Sequence, residues 1–159
     1  MDVLSFCTCV DAAVGRSAEI LPYRWRDDSV RDFARRHDAE LAGERGEGSF
    51  SLSPRSFLNA APGTRVVLPS PNSASLTLAA GGRAVFAGCL RNASAVAKAV
   101  RQSARRVAVI PAGERWPDGS LRPCLEDLLG AAAILEQLPG SRAPEAEAAS
   151  ARSGRCDTN

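Results

Sequence analysis

Residues 111–127 read Pro-Ala-Gly-Glu-Arg-Trp-Pro-Asp-Gly-Ser-Leu-Arg-Pro-Cys-Leu-Glu-Asp. Glu114, Arg115, Asp118, Arg122, Glu126 and Asp127 therefore sit between an apolar strand pattern and an apolar helix pattern. Carboxylates in this number can hold a hard cation through oxygen alone, as magnesium prefers. Guanidinium groups suit phosphate or sulfonate, because their planar fork donates paired hydrogen bonds. A solvated loop is the plain reading of such a stretch. A site for a metal and an anionic substrate is the sharper one.

Other groups of the same kinds recur along the chain. The carboxylates include Asp2 and Glu44, and the arginines include Arg45 and Arg91. Three predicted helix starts are rich in small polar residues: Ser5–Thr8, Asn72–Ser75 and Asn92–Ser94. Backbone N–H groups at such starts can hold an anion. Each group also has a plain structural use. Acids in a first helical turn are favoured by the dipole alone, and asparagine is a common N-cap. On the dipole argument, Asp127→Asn is expected to leave the fold intact, since such a contact is worth only about 0.3–1 kcal/mol.

Several function classes are excluded by composition. A net charge of +2 gives no polyanion-binding signal, and Lys98 is the only lysine among 20 basic residues. The arginines are scattered, and aromatic residues make up only 5% of the chain, so neither a basic stripe nor a base-stacking platform forms. No nucleic-acid or membrane partner is expected. The first residues lack a basic segment, and Asp11 interrupts their apolar run, which predicts a cytoplasmic protein. The five cysteines are then expected to be reduced, with Cys7 and Cys9 as buried or semi-buried thiols and Cys156 exposed. His37 is the only histidine, on a predicted surface helix, so a histidine triad has little support. No Walker-type phosphate loop is present.

The elements that must position these residues alternate. Strand patterns are read at 2–5, 19–23, 39–43, 65–70, 84–88 and 106–112. Helical patterns are read at 8–18, 27–37, 72–81, 92–104 and 124–138. A Gly/Ser/Pro-rich loop spans about 43–63, and the tail from 140 reads as disordered or weakly helical. At 159 residues one domain is expected, folding to bury roughly 70% of the unfolded chain's surface. The alternation predicts an α/β fold with a largely parallel sheet. Loops beyond the carboxyl ends of such strands collect functional groups. They fall at Leu4–Thr8, Gly43–Ser51, Ser70–Ser75, Cys89–Asn92 and Gly113–Asp118.

Five ordered blocks carry a resemblance: DVLSFCTCVD (2–11), LAGERGEGSFSLSPRSF (41–57), VVLPSPNSASL (66–76), GCLRNASAVA (88–97) and IPAGERWPDGSLRPCLEDLLGAAAI (110–134). Together they resemble the 2-phosphosulfolactate phosphatase family across residues 2–138. The resemblance implies a three-layer α/β/α sandwich over residues 1–139; the disordered tail expected at 140–159 rests on its lack of apolar periodicity. It implies a magnesium-dependent phosphatase that hydrolyses 2-phospho-3-sulfolactate to sulfolactate and phosphate, a step of coenzyme M biosynthesis. The expected partner is a small anionic phosphate ester, with a homo-oligomer also allowed.

Carried onto this chain, the resemblance makes Asp2, Glu126 and Asp127 the metal candidates. Arg45, Asn72, Ser73, Asn92 and Arg115 are the candidates for holding anionic groups. Glu114 is the candidate base, with Arg115 beside it in the catalytic pair. Three departures are visible. Many relatives carry arginine at the position of Ser5, and glycine at the position of Ser73, whose Cβ is expected to crowd a phosphate or force another dihedral. Relatives also place an apolar strand ahead of the Asp-Val-Leu block and further sheet and helix after the Glu-Asp helix. An incomplete and marginally stable domain is expected on that ground. The alternative function is a shortened, non-catalytic member that binds a partner or a small anion.

Overall fold

The computed structural model describes residues 1–25 and 27–151. Cys156 and the last residues of the expected tail lie outside the described residues. Two compact units divide the chain: residues 5–85 form one, and residues 1–4 with the chain from 86 onward form the other.

The 5–85 unit is built on a parallel sheet. Its strands are β1 (Glu19–Tyr23), β2 (Glu40–Leu41) and β3 (Arg65–Pro69), in the order β1-β3-β2. β3 is central because its apolar run is buried on both faces: Val66, Val67 and Leu68 are all fully buried. Pro22 is tolerated because β1 is an edge strand, where a missing N–H need not break an inner ladder. Ile20 pairs with Val66 and Leu21 with Val67, while Leu41 faces Val67 from the other side.

Helix α2 (Ser29–Arg36) places Val30, Phe33 and Ala34 on one face. That face packs on Val67 with Leu21, Tyr23 and Leu41. Burying side chains such as Val30 and Val67 stabilises the unit by about 1.5–3 kcal/mol each. His37 ends α2 and lies against the Phe33 ring, 4.3 Å between centroids, as a packing residue. Helix α1 (Phe6–Val14) buries Phe6, Cys7, Cys9 and Ala13 and packs on the 3-10 turn Pro54–Phe57. Phe57 is fully buried and stacks on Phe50 at 5.1 Å. Helix α3 (Ser73–Ala79) follows β3.

In the other unit, α4 (Ala93–Ser103) and α5 (Leu125–Leu135) share a small core of Ala93, Ala97 and Ile134, joined by Met1, Val96 and Val109. A short antiparallel pair, β4 (Glu114–Arg115) and β5 (Leu121–Arg122), precedes α5. Within the segment expected as disordered or weakly helical, Pro144–Ser150 forms α6, with proline in its first turn where its missing N–H costs nothing.

An α/β fold with a parallel sheet is thus present. Three predicted strands are not. Residues 2–5 form a turn, and 84–88 and 106–112 belong to no ladder among the described residues. Apolar pattern cannot by itself supply a partner strand. The 106–112 segment gains only Met1, whose N-terminal ammonium donates to the Ile110 carbonyl at 2.8 Å and whose carbonyl accepts the Ala112 N–H at 2.7 Å. Val107 and Ile110 accordingly remain about half exposed. Cys7, Cys9, Cys89 and Cys124 are all buried, and none of them is in a disulfide. Among the described residues no helix is long and apolar enough to cross a membrane.

Candidate functional site

The loop after β2 holds Arg45 in a fixed place. Its Nε donates to the Leu52 carbonyl at 3.1 Å and its Nη2 donates to the Ser5 hydroxyl at 3.2 Å. Ser5 Oγ in turn donates to the same Leu52 carbonyl at 2.6 Å. Ser5 stands at the N-cap of α1 but caps nothing with its side chain, because its hydroxyl is used on Leu52. Gly43, Glu44, Arg45 and Leu52 line a concavity of about 380 Å³. A guanidinium carries five N–H donors, and only two groups here accept from it. No ion pair of Arg45 is present among the described residues.

Ser70, Asn72 and Ser73 follow β3 in the same unit. Ser73 is buried, and its N–H donates to Ser70 Oγ at 3.3 Å. It begins α3 without a positive φ, a backbone conformation that any L residue can adopt. Asn72 precedes α3 without a side-chain cap bond.

The remaining candidates lie in the other unit. Asn92 spends its side chain on its own loop: Oδ1 accepts the Cys89 N–H at 2.8 Å and Nδ2 donates to the Ala87 carbonyl at 3.0 Å. It therefore stands at the N-cap position of α4 while its side chain staples its own loop and makes no cap bond to the helix. The amide reaches back three and five residues because the 87–92 chain turns tightly under it.

Asp127, in the first turn of α5, is only 4% exposed. Its Oδ1 accepts the Val3 N–H at 2.8 Å and its Oδ2 accepts the Gly113 N–H at 2.9 Å. A buried carboxylate bonded at both oxygens is more than the dipole contact expected of Asp127 from its place in a first helical turn. Gly113 has φ +61, and a Cβ there would come within 2.8 Å of the Arg122 carbonyl oxygen. Directly after it, Glu114 pairs with Arg122 and Arg115 with Leu121. Glu114 is half-buried and Arg115 is exposed. At the hairpin turn, the Ser120 hydroxyl and N–H both donate to Asp118 Oδ1, which holds that carboxyl below its ordinary pKa. The Arg122 guanidinium lies over the Trp116 ring at 5.5 Å. Burial first, then the nearby Glu126 carboxylate, pushes the Cys124 thiol upward, which leaves it protonated and a weak nucleophile.

The proposed metal ligands do not form a cage. Asp2 and Glu126 are half-buried, and Asp127 has both oxygens on backbone N–H groups. Among the described residues no group of three or more His, Cys, Asp or Glu is placed to hold a metal ion.

The 5–85 unit thus contains Arg45, Asn72 and Ser73. Asp2, Asn92, Glu114, Arg115, Glu126 and Asp127 fall in the other. Sequence reasoning missed the Ser5–Leu52 support of Arg45 and the backbone role of Asp127. The decisive partners are remote in sequence: Ser5 lies 40 residues from Arg45, and Val3 lies 124 from Asp127. The glycine before Glu114 was the one cue available: a glycine ending a strand pattern often marks a positive φ.

Comparison with known proteins follows from this geometry. A search of curated proteins returns no match. The family model described as 2-phosphosulpholactate phosphatase matches residues 1–154. With that match spanning nearly all of its 159 residues, the chain belongs to the 2-phosphosulpholactate phosphatase family.

Proposed function

We propose that this chain hydrolyses a small phosphate monoester, 2-phospho-3-sulfolactate, to sulfolactate and phosphate. The family match over residues 1–154 carries this reading. Arg45 supports it, as a cation held in place over a concavity with donors to spare. Its fork suits the phosphate or sulfonate oxygens of such a substrate. Arg115, next to Glu114 in β4, is proposed as the anion-holding candidate of the other unit. Glu114 is proposed as the base. In the reaction a water oxygen bonds to phosphorus, its proton passes to Glu114, and the P–O bond to C2 breaks. The leaving alkoxide then takes up a proton. Positioning and charge stabilisation supply most of the acceleration in phosphoryl transfer.

A non-catalytic anion binder is the second reading. It is favoured by Asn92 and Asp127, whose polar atoms are engaged with backbone groups. One experiment separates the two. Purified protein is offered a panel of phosphate monoesters, 2-phospho-3-sulfolactate among them, with magnesium and with chelator. Phosphate release supports the phosphatase, and the chelator arm decides whether magnesium is its cofactor. Saturable binding of inorganic phosphate without release from any ester supports the binder.

A further inference from the structure

We infer that Asp127 is a positioning residue, a buried two-point clamp that sets the Gly113 turn and so fixes how Glu114 and Arg115 enter β4. The catalytic half of this inference rests on the phosphatase reading. The structural half does not.

The clamp joins three distant pieces of chain. Asp127 Oδ2 accepts the Gly113 N–H at 2.9 Å across 14 residues, and Oδ1 accepts the Val3 N–H at 2.8 Å across 124. The two strips it joins are already adjacent, since Met1 exchanges hydrogen bonds with Ile110 and Ala112. Hydrogen bonds to an ionised carboxylate are about twice as strong as neutral ones. The first turn of α5 also favours the negative charge there. A side chain 4% exposed cannot exchange these partners for water without opening the unit.

What the clamp holds is a backbone that cannot relax in other ways. Gly113 sits at φ +61 with the Arg122 carbonyl oxygen 2.8 Å from the place of a Cβ. The next residue, Glu114, is already in register with Arg122. Rotation about Gly113 would therefore re-aim both Glu114 and Arg115.

Amide exchange read by NMR tests the clamp. In the wild type, the Val3 and Gly113 amides are expected to be protected, and saturating magnesium is expected to leave them so. In Asp127→Asn, one amide must face an NH2 donor, and both should exchange about tenfold faster or more. Amides inside α4, such as Ala97 and Val100, should keep their rates, which separates a local clamp from general unfolding. In the same variant kcat should fall about tenfold or more, because small misplacements of reacting groups are costly. The magnesium concentration for half-maximal rate should hold. Loss of protection at either amide on adding magnesium to the wild type overturns the clamp, and this arm needs no variant. So do wild-type exchange rates at both amides in Asp127→Asn. A shifted magnesium half-saturation, or unchanged kcat alongside faster exchange, overturns the positioning role. Protected amides in a protein that releases no phosphate from any ester overturn the phosphatase reading and leave the clamp standing.

Discussion

The Arg45 guanidinium donates to the Ser5 hydroxyl at 3.2 Å, and the two side chains share the Leu52 carbonyl as acceptor. An exposed arginine is thereby held in one orientation without an ion pair among the described residues. Preorganisation of this kind is what an anion subsite requires.

Arg45→Lys should separate charge from geometry. Lysine keeps the positive charge but is a point charge without the planar fork. The neutral hydrogen bonds lost are worth about 0.5–1.5 kcal/mol each at most, so Tm should move by only a few degrees. Phosphate binding, followed calorimetrically, should weaken by about tenfold. A large Tm loss with unchanged phosphate affinity would make Arg45 a structural staple of the 43–52 loop.

Gly113→Ala should destabilise the protein more than a typical surface change. A positive φ already disfavours an L residue by about 1–2 kcal/mol, and here the new Cβ meets a carbonyl oxygen 2.8 Å away. A loss above about 1 kcal/mol is expected in urea unfolding. Gly119→Ala, at φ +83 with open space around its Cβ site, should show the dihedral cost alone and so a smaller loss. Equal losses at the two positions would remove the close approach at Gly113.

Asp118 makes the hairpin turn sensitive to acid. Its pKa is lowered from the ordinary 3.8, first by the Ser120 hydroxyl and then by the Ser120 N–H. A folded-state pKa below the unfolded one stabilises the turn above the unfolded value. That contribution disappears as pH falls through the folded value. Carboxyl-carbon NMR titration should therefore place Asp118 below 3.8 in the wild type and return it toward 3.8 in Ser120→Ala. A Ser120→Ala titration curve identical to the wild type would refute the hydroxyl as the main cause.

Sequence pattern located β1, β3 and α5 closely, because their apolar residues are the ones their neighbours bury. Val66, Val67 and Leu68 form a continuous apolar run, as a strand buried on both faces requires. The 84–88 and 106–112 runs have equally apolar composition, yet they form no ladder, since pairing depends on a partner elsewhere in the chain. β4 and β5 escaped notice for a different reason. Glu114–Arg115 and Leu121–Arg122 are too short to show alternation, although Pro117-Asp118-Gly119-Ser120 between them is a turn sequence with glycine at φ +83. Among the site residues, Arg45 stood out by type, but its support from Ser5 and Leu52 did not. Asp127 was visible as an acid in a first helical turn. Its burial and its two backbone partners were not, because both depend on how distant segments meet.

Phosphorus NMR of the purified chain with 2-phospho-3-sulfolactate tests the proposed activity most directly, run with magnesium present. The account predicts that the ester resonance is replaced by inorganic phosphate while sulfolactate accumulates in equal amount, and that Arg45→Lys slows this conversion by about tenfold. An ester signal that persists unchanged beside protein shown to be folded by its amide spectrum would contradict it.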